Sequence, residues 1–212
     1  MPTIKYNLRK IRASVYERLD KELLTNILEL LKCELKSIDE NSLVCEITPD
    51  RCDLFSNEGL IRAIKGILGE SLGMENIDFF YEDFKVFIDP SVKSIRPYVV
   101  IATVRNVNLD EDSLTSLINY QEILHETIGR NRKKASIGLY DLSKIKGNIR
   151  YVSKKLSEIK FKPLNFDTEL NGYEILSKTD KGVKYRNLLP EDYGLLLVDD
   201  SNTVLSLSLI HI

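Results

Sequence analysis

Residue types that build metal centres and redox sites are scarce in this sequence. It has no tryptophan, two histidines and three cysteines in 212 residues. The histidines, His125 and His211, are too few to assemble readily into a zinc or histidine-based catalytic centre. The cysteines, Cys33, Cys45 and Cys52, are spaced by twelve and seven residues, which fits neither a zinc pattern nor a disulfide framework. We therefore expect reduced thiols and no metal site.

Long apolar runs are also absent. No uninterrupted stretch approaches the roughly 18 to 20 apolar residues that a membrane-spanning helix needs, and the N-terminus lacks the layout of a secretory signal. With 43% hydrophobic and 29% charged residues, the composition is that of an ordinary folded protein, and we expect a cytoplasmic location. The net charge of −2 excludes no class of partner, because a basic patch can coexist with an acidic remainder.

Recognisable catalytic motifs are missing as well. The sequence contains no nucleophile elbow, glycine-rich phosphate loop, HExxH helix or CxxC pair. Neighbouring carboxylates occur at Glu111 with Asp112 and at Asp199 with Asp200, but both pairs fall at predicted caps or turns. Arg51 is interpreted as the salt-bridge partner of a nearby aspartate at a helix entrance. We expect no catalytic residue in this chain.

Apolar periodicities predict an α+β fold with two domains, a small N-terminal α+β domain at residues 1–80 and a larger mixed-sheet α+β domain at residues 81–212. The first domain opens with a strand at Thr3–Leu8. A capping box of Ser14 and Glu17 then predicts a helix of about five turns.

The remainder of the first domain is predicted to form a hairpin and a second helix. The hairpin strands, Leu35–Ile38 and Leu43–Ile47, flank a polar turn. Ser56 is a favourable N-cap for the helix, and Gly69 is a favourable end.

Alternating and continuous apolar stretches predict the strands of the second domain. The run from Tyr98 to Val107 predicts a strand that is buried on both faces. Ala135–Leu142 predicts another strand, and Leu195–Val198 with Thr203–Leu209 predicts a closing hairpin. Between the first two strands, an apolar stripe that ends at Gly129 predicts an amphipathic helix.

A basic corner follows this helix directly. It consists of four residues in one short stretch: Arg130, Arg132, Lys133 and Lys134. One interpretation is a solvated helix cap that keeps the protein soluble. The other is an anion contact, with RNA phosphate as the most suitable anion because clustered cations gain most against a polyanion. Spacing alone leaves both interpretations open.

Three longer stretches carry a family resemblance. They are QEILHETIGRNRKKASIGLYDL from Gln121, TPDRCDLFSNEGLIRAIKGILG from Thr48, and the segment from Asp89 to Glu111. They resemble the N-terminal region of phenylalanyl-tRNA synthetase β subunits of the archaeal and eukaryotic type. The resemblance covers residues 1–206. It departs at Cys52, where the family has proline, and at Tyr140, where the family usually has histidine or phenylalanine.

This resemblance implies the N-terminal portion of a synthetase β subunit, including the front of a domain that hydrolyses mischarged Tyr-tRNA(Phe). Such editing completes a discrimination between Phe and Tyr that one binding pocket leaves incomplete. The implied partners are tRNA(Phe) and the α subunit of an α2β2 heterotetramer, with no membrane and no DNA. The full enzyme would use ATP and Mg²⁺ elsewhere, so no cofactor is expected in this chain.

The resemblance also implies that part of the editing pocket follows the last strand. Leu205 and Ser206 match the family and are interpreted as a remnant of that pocket. Ser208 and Leu209 stand where the family has prolines, so we expect a truncated or diverged end. Two alternatives stay open: a free-standing aminoacyl-tRNA hydrolase, and a non-enzymatic remnant that binds RNA or protein.

Overall fold

The computed structural model describes residues 1–16, 18–207 and the backbone of residues 210–211, and it confirms an α+β fold. The chain forms two compact units, the first from Met1–Asp78 with Leu109–Ile128 and the second from Phe79–Asn108 with Gly129–Ile212. Each unit is therefore built from two segments, whereas the predicted domains 1–80 and 81–212 are contiguous. The division into domains stays a prediction.

A three-stranded antiparallel sheet is the framework of the first unit. Its strands are β1 (Thr3–Asn7), β2 (Glu34–Ile38) and β3 (Ser42–Glu46), in the order β1-β3-β2. The predicted hairpin of β2 and β3 is confirmed. Asp39 holds its turn, because one carboxylate oxygen accepts hydrogen bonds from the amides of Asn41 at 2.9 Å and Ser42 at 2.7 Å.

The first unit also contains the helices of residues 1–78 and 109–128. They are α1 (Leu8–Ser14), α2 (Lys21–Leu30), α3 (Asn57–Leu68) and α4 (Glu111–Glu126). The core includes fully buried side chains from both the helices and the sheet, among them Leu24, Ile27, Leu43, Leu60 and Ile64.

The five-turn helix predicted after Ser14 is wrong, because α1 ends at Ser14 and the shorter helix α2 begins only at Lys21. Ser14 ends α1, and its hydroxyl donates to the carbonyl of Lys10 at 2.8 Å. Helix α2 begins later because Asp20 caps it, accepting from the amide of Leu23 at 2.8 Å. Glu17, the other half of the predicted capping box, lies outside the described residues.

The predicted ends of α3 are confirmed. The hydroxyl of Ser56 accepts from the amide of Gly59 at 3.1 Å, which satisfies one of the free donors at the helix N-terminus. Gly69 ends the helix in the left-handed region with φ 74°, where glycine carries no steric cost.

A five-stranded mixed sheet is the framework of the second unit. The strands of this unit are β4 (Val86–Ile88), β5 (Ile149–Lys155), β6 (Lys160–Phe161), β7 (Leu170–Asn171), β8 (Tyr193–Asp199), β9 (Val204–Leu207) and β10 (Ile210–His211). The large sheet has the order β10-β9-β8-β5-β4, and β6 pairs separately with β7. Only the β4–β5 pair is parallel among the described strand pairs. The predicted mixed sheet is thus confirmed, as is the hairpin of β8 and β9.

Helices α5 (Gly172–Lys178) and α6 (Asp180–Tyr185) pack in the same unit. A capping box fixes the start of α5, with Asn171 and Glu174 each accepting the other's backbone amide at 3.0 Å. Tyr185 at the end of α6 is 6% exposed and belongs to the core that also contains Leu156, Leu196 and Leu207.

Two predicted strands are wrong. The structure assigns no strand at residues 98–107 or at residues 135–142. Tyr98 and Val100 are 89% and 94% exposed, so the first of these segments is not enclosed on both faces. An apolar run indicates which residues could be buried, but burial also requires a neighbouring strand, which lies elsewhere in the sequence.

Gly59 and Gly66 both lie in α3, and replacing each by alanine is predicted to change the stability of the protein in opposite directions. A Cβ at position 59 would overlap the carbonyl oxygen of Asp53, whereas one at position 66 would meet the carbonyl oxygen of Ser71 at an ordinary 3.9 Å. We expect Gly59→Ala to lower the free energy of unfolding by about 1–3 kcal/mol through overpacking. We expect Gly66→Ala to raise it by about 0.5–1 kcal/mol, because alanine is the better helix former.

Urea denaturation followed by circular dichroism measures both variants. Equal free energies of unfolding for the two variants would show that the backbone at Asp53 can move to accommodate the new Cβ, and would contradict the predicted overpacking.

Candidate nucleic-acid interface

The basic corner is a turn with left-handed backbone. Arg130, Asn131 and Arg132 have φ values of 50°, 53° and 66°. This region costs an L-residue roughly 1–2 kcal/mol, less for asparagine. Hydrogen bonds from the amide of Lys133 to the carbonyl of Arg130 at 3.2 Å, and from the amide of Lys134 to that of Gly129 at 2.9 Å, close the turn. Three such residues in succession persist only where other contacts hold them.

Arg96 supplies contacts of this kind. Its Nη2 donates to the carbonyl oxygen of Arg132 at 2.5 Å and to that of Lys133 at 2.9 Å. Both bonds come from a charged donor, which makes them stronger than bonds between neutral groups. The guanidinium therefore holds the carbonyl side of the turn.

Arg132 supplies a second attachment. Its side chain is only 6% exposed, and its guanidinium carbon lies 4.3 Å from the centroid of the Tyr185 ring. A cation over an aromatic face is attracted by the electron density of the ring, the more so when water is excluded. This side chain therefore points into the second unit, and its predicted role as an anion contact stays a prediction.

The other three cations of the basic corner are at the surface. Arg130, Lys133 and Lys134 are exposed, so they can meet a ligand without rearrangement of the core. The turn thus combines one inward-facing and three outward-facing cations. We call Arg130, Lys133 and Lys134 the exposed triad.

The predicted remnant of an editing pocket lies in the large sheet. Leu205 and Ser206 are on β9 and are 9% and 2% exposed. Ser206 hydrogen-bonds with Tyr140, one of the positions where the sequence departs from the family resemblance. Burial raises the pKa of the Tyr140 phenol, and this bond partly offsets the rise. Residue spacing in the sequence gives no indication that positions 140 and 206 meet. A role in editing for Leu205 and Ser206 stays a prediction.

The paired carboxylates have structural roles in the described residues. Asp199 is fully buried and accepts from the amides of Lys146 at 3.0 Å and of Ser201 and Thr203 at 2.9 Å each. Burial alone would raise its pKa, but these bonds and the Ser201 hydroxyl hold the pKa below its usual value. Asp200 accepts from the amide of Asn148 at 2.8 Å. Both aspartates therefore fix the β8–β9 hairpin to the segment before β5.

The acidic residues at the starts of α4 and α3 also have structural roles. Asp110 caps α4 by accepting from the amide of Ser113 at 2.8 Å, and Glu111 and Asp112 lie in the first turn, where the helix dipole favours acids. Arg51 and Asp53 form the predicted salt bridge at 2.8 Å, at the entrance to α3.

Helix α4 departs from its predicted character. Its existence is confirmed, but the buried residues are polar, Gln121 and His125, while Leu114 and Ile118 are 44% and 45% exposed. His125 is 1% exposed, and its Nδ1 lies 3.5 Å from Oε1 of Glu122.

In residues 1–16, 18–207 and 210–211, no group of three or more His, Cys, Asp or Glu residues is placed to hold a metal ion. Within the same part of the chain, no helix is both long and apolar enough to span a bilayer.

Similar proteins share nearly the whole of this chain. It is 39% identical over 210 residues to the phenylalanine–tRNA ligase β subunit of Korarchaeum cryptofilum and 36% identical over 211 residues to that of Methanocaldococcus jannaschii. Each match covers 98% of this chain but only 37% and 38% of the relative. No family model matches.

A solved structure extends the similarity to the fold. It is an N-terminal fragment of the phenylalanyl-tRNA synthetase β subunit from Pyrococcus horikoshii, with a TM-score of 0.86 and 33% sequence identity. The match covers 99% of this chain and 62% of the fragment.

These matches define the chain first as a region of an aminoacyl-tRNA synthetase subunit. More narrowly, it belongs to the family of phenylalanine–tRNA ligase β subunits and corresponds to their N-terminal region. The chain spans less than two fifths of the length of the curated relatives named above.

The inward and outward cations of the basic corner differ in their predicted effect on stability. We expect Arg132→Ala to lower the free energy of unfolding by about 1–3 kcal/mol, because it removes the contact with Tyr185 and leaves a cavity. Lys133→Ala and Lys134→Ala change it by less than about 0.5 kcal/mol, because both side chains are exposed.

Chemical denaturation of the three variants, followed by tyrosine fluorescence and circular dichroism, makes the comparison. Similar stabilities for Arg132→Ala and Lys134→Ala would show that the stacked arginine contributes nothing to the fold.

Proposed function

We propose that this chain works as the N-terminal region of a phenylalanine–tRNA ligase β subunit and contacts tRNA(Phe) through the exposed triad. The observation that supports this most directly is the presentation of Arg130, Lys133 and Lys134 on a turn that Arg96 and Arg132 attach to the second unit. Cations on an attached turn lose less conformational freedom on binding than cations on a mobile tail. Contacts of this kind position an RNA backbone and carry no base specificity.

The family gives this contact its context. In a complete enzyme the β subunit would associate with α subunits as an α2β2 heterotetramer in the cytoplasm. Aminoacylation, with its ATP and Mg²⁺, would take place on the α subunit. The role proposed for this chain is thus architectural and RNA-binding, and the chain itself uses no cofactor.

Hydrolytic editing of Tyr-tRNA(Phe) is the second candidate function, suggested by the resemblance of residues 81–206 to the front of an editing domain. The enclosure of Leu205 and Ser206 on β9 does not favour hydrolysis by this chain alone. We therefore place RNA contact ahead of a free-standing aminoacyl-tRNA hydrolase. A non-enzymatic remnant would use the same exposed triad toward RNA, so binding and hydrolysis must be measured together.

Charge reversal tests the RNA contact. We expect Lys133→Glu/Lys134→Glu to weaken binding of uncharged tRNA(Phe) by on the order of tenfold or more at low salt, because two attractive contacts become repulsive. The slope of log K against log salt should also fall by about one for each phosphate that the chain no longer neutralises. Filter binding over a series of salt concentrations measures both quantities.

Lys154→Glu/Lys155→Glu is the matched control, because it changes the net charge equally at two exposed lysines of β5. Equal weakening by both double variants would reduce the effect to net charge and remove the basic corner from the proposal. Release of tyrosine from Tyr-tRNA(Phe), followed in the same samples, tests editing. Hydrolysis above the uncatalysed rate would instead favour the second candidate.

A further inference from the structure

The conformation of the basic corner requires a cause outside the corner. Its three successive left-handed residues, Arg130 to Arg132, include two arginines, for which this backbone is unfavourable. The two hydrogen bonds within the turn also leave the direction of the turn relative to the sheet undetermined. The attachment of Arg96 to the sheet supplies that direction.

Arg96 is itself held at both ends of its backbone. Its amide donates to the carbonyl of Val92 at 2.9 Å, and its carbonyl accepts from the hydroxyl of Tyr151 at 2.9 Å. Val92 is 1% exposed and Tyr151 is 7% exposed, and the two share a small core with Leu195. Tyr151 lies on β5, between the parallel strand β4 and the antiparallel strand β8.

A continuous series of contacts therefore runs from the middle of the sheet to the surface. It passes from Tyr151 to the backbone of Arg96, and from the Arg96 guanidinium to the carbonyls of Arg132 and Lys133. We propose that Arg96 and Tyr151 are positioning residues that hold the left-handed turn in the form that presents the exposed triad to RNA phosphates. This inference rests on the proposed RNA contact and adds the residues on which that contact depends.

The geometry separates this role from direct binding. Nη2 of Arg96 donates to two backbone carbonyls, so a phosphate that took this nitrogen would release the turn. Tyr151 is buried and neutral, and burial raises the pKa of its phenol, so the hydroxyl stays protonated and donates at neutral pH. Neither residue needs to touch the RNA.

Two substitutions without a charge change test the inference. Tyr151→Phe removes the bond to Arg96 inside the protein, and Asn131→Val places a β-branched residue at φ 53° on the exposed turn. We expect each to weaken binding of uncharged tRNA(Phe) by about three- to tenfold and to lower the salt slope, because the three cations no longer meet the phosphates together. A loss of global stability alone would reduce the active fraction and leave the slope unchanged.

Asn165→Val is the matched control for Asn131→Val. Asn165 is also exposed and left-handed, with φ 66°, but lies in the connection between β6 and β7. It should leave tRNA binding and the salt slope unchanged. Circular dichroism and thermal unfolding of every variant establish that the fold is retained. Equal weakening by the two asparagine variants would overturn the inference.

The outcomes distinguish this inference from the function on which it rests. If Lys133→Glu/Lys134→Glu weakens binding while Tyr151→Phe and Asn131→Val bind as the unaltered chain does, the RNA contact stands and the positioning role is overturned. If the charge reversal also leaves binding unchanged, the proposed RNA contact itself is overturned.

Arg96→Met provides a third variant that keeps the length of the side chain and removes its donors. It should weaken binding at least as much as Tyr151→Phe, and normal binding by Arg96→Met also overturns the positioning role.

Discussion

The pairing of β5 with strands on both sides is the constraint on which the candidate site depends. Parallel pairing with β4 and antiparallel pairing with β8 fix Tyr151 in the sheet, and Tyr151 fixes the backbone of Arg96. The amide of Asp89 also donates to the carbonyl of Tyr151 at 2.9 Å, so the segment that leads to Arg96 is attached to the same strand. A surface turn with an unfavourable backbone can persist because its attachment begins in a rigid element.

Local signals in the sequence predicted local structure well. Ser56, Gly69 and the polar turn at Asp39 each act through hydrogen bonds or backbone preferences within a few residues, and each occupies the predicted place. The apolar segments 98–107 and 135–142 were predicted less well, because a strand exists only with a partner strand. The apolar pattern of each segment is compatible with a strand, but nothing within the segment indicates whether a partner strand lies beside it.

The candidate site shows the same division between local and distant information. Clustering of Arg130, Arg132, Lys133 and Lys134 is visible in the sequence, and a corner rich in positive charge could be predicted from it. The inward direction of Arg132 could not, because it depends on Tyr185 in α6, far along the chain. Arg96 lies in the segment from Asp89 to Glu111 that carries the family resemblance. Its hydrogen bonds to carbonyls 36 and 37 residues away cannot be predicted from residue spacing.

The two arginines that hold the turn also explain how a nearly neutral chain can present concentrated positive charge. Arg96 and Arg132 use their guanidinium groups on backbone carbonyls and on an aromatic ring, while the exposed triad keeps its charge in solvent. Removing these two guanidinium groups from water is costly, and their contacts with the carbonyls and the ring offset that cost. The charge at the surface remains available to a polyanion, whose field is strongest close to its phosphates. The net charge of −2 gives the whole chain no long-range attraction for a polyanion. The proposed RNA contact therefore depends on the short-range geometry of the turn and not on the total charge.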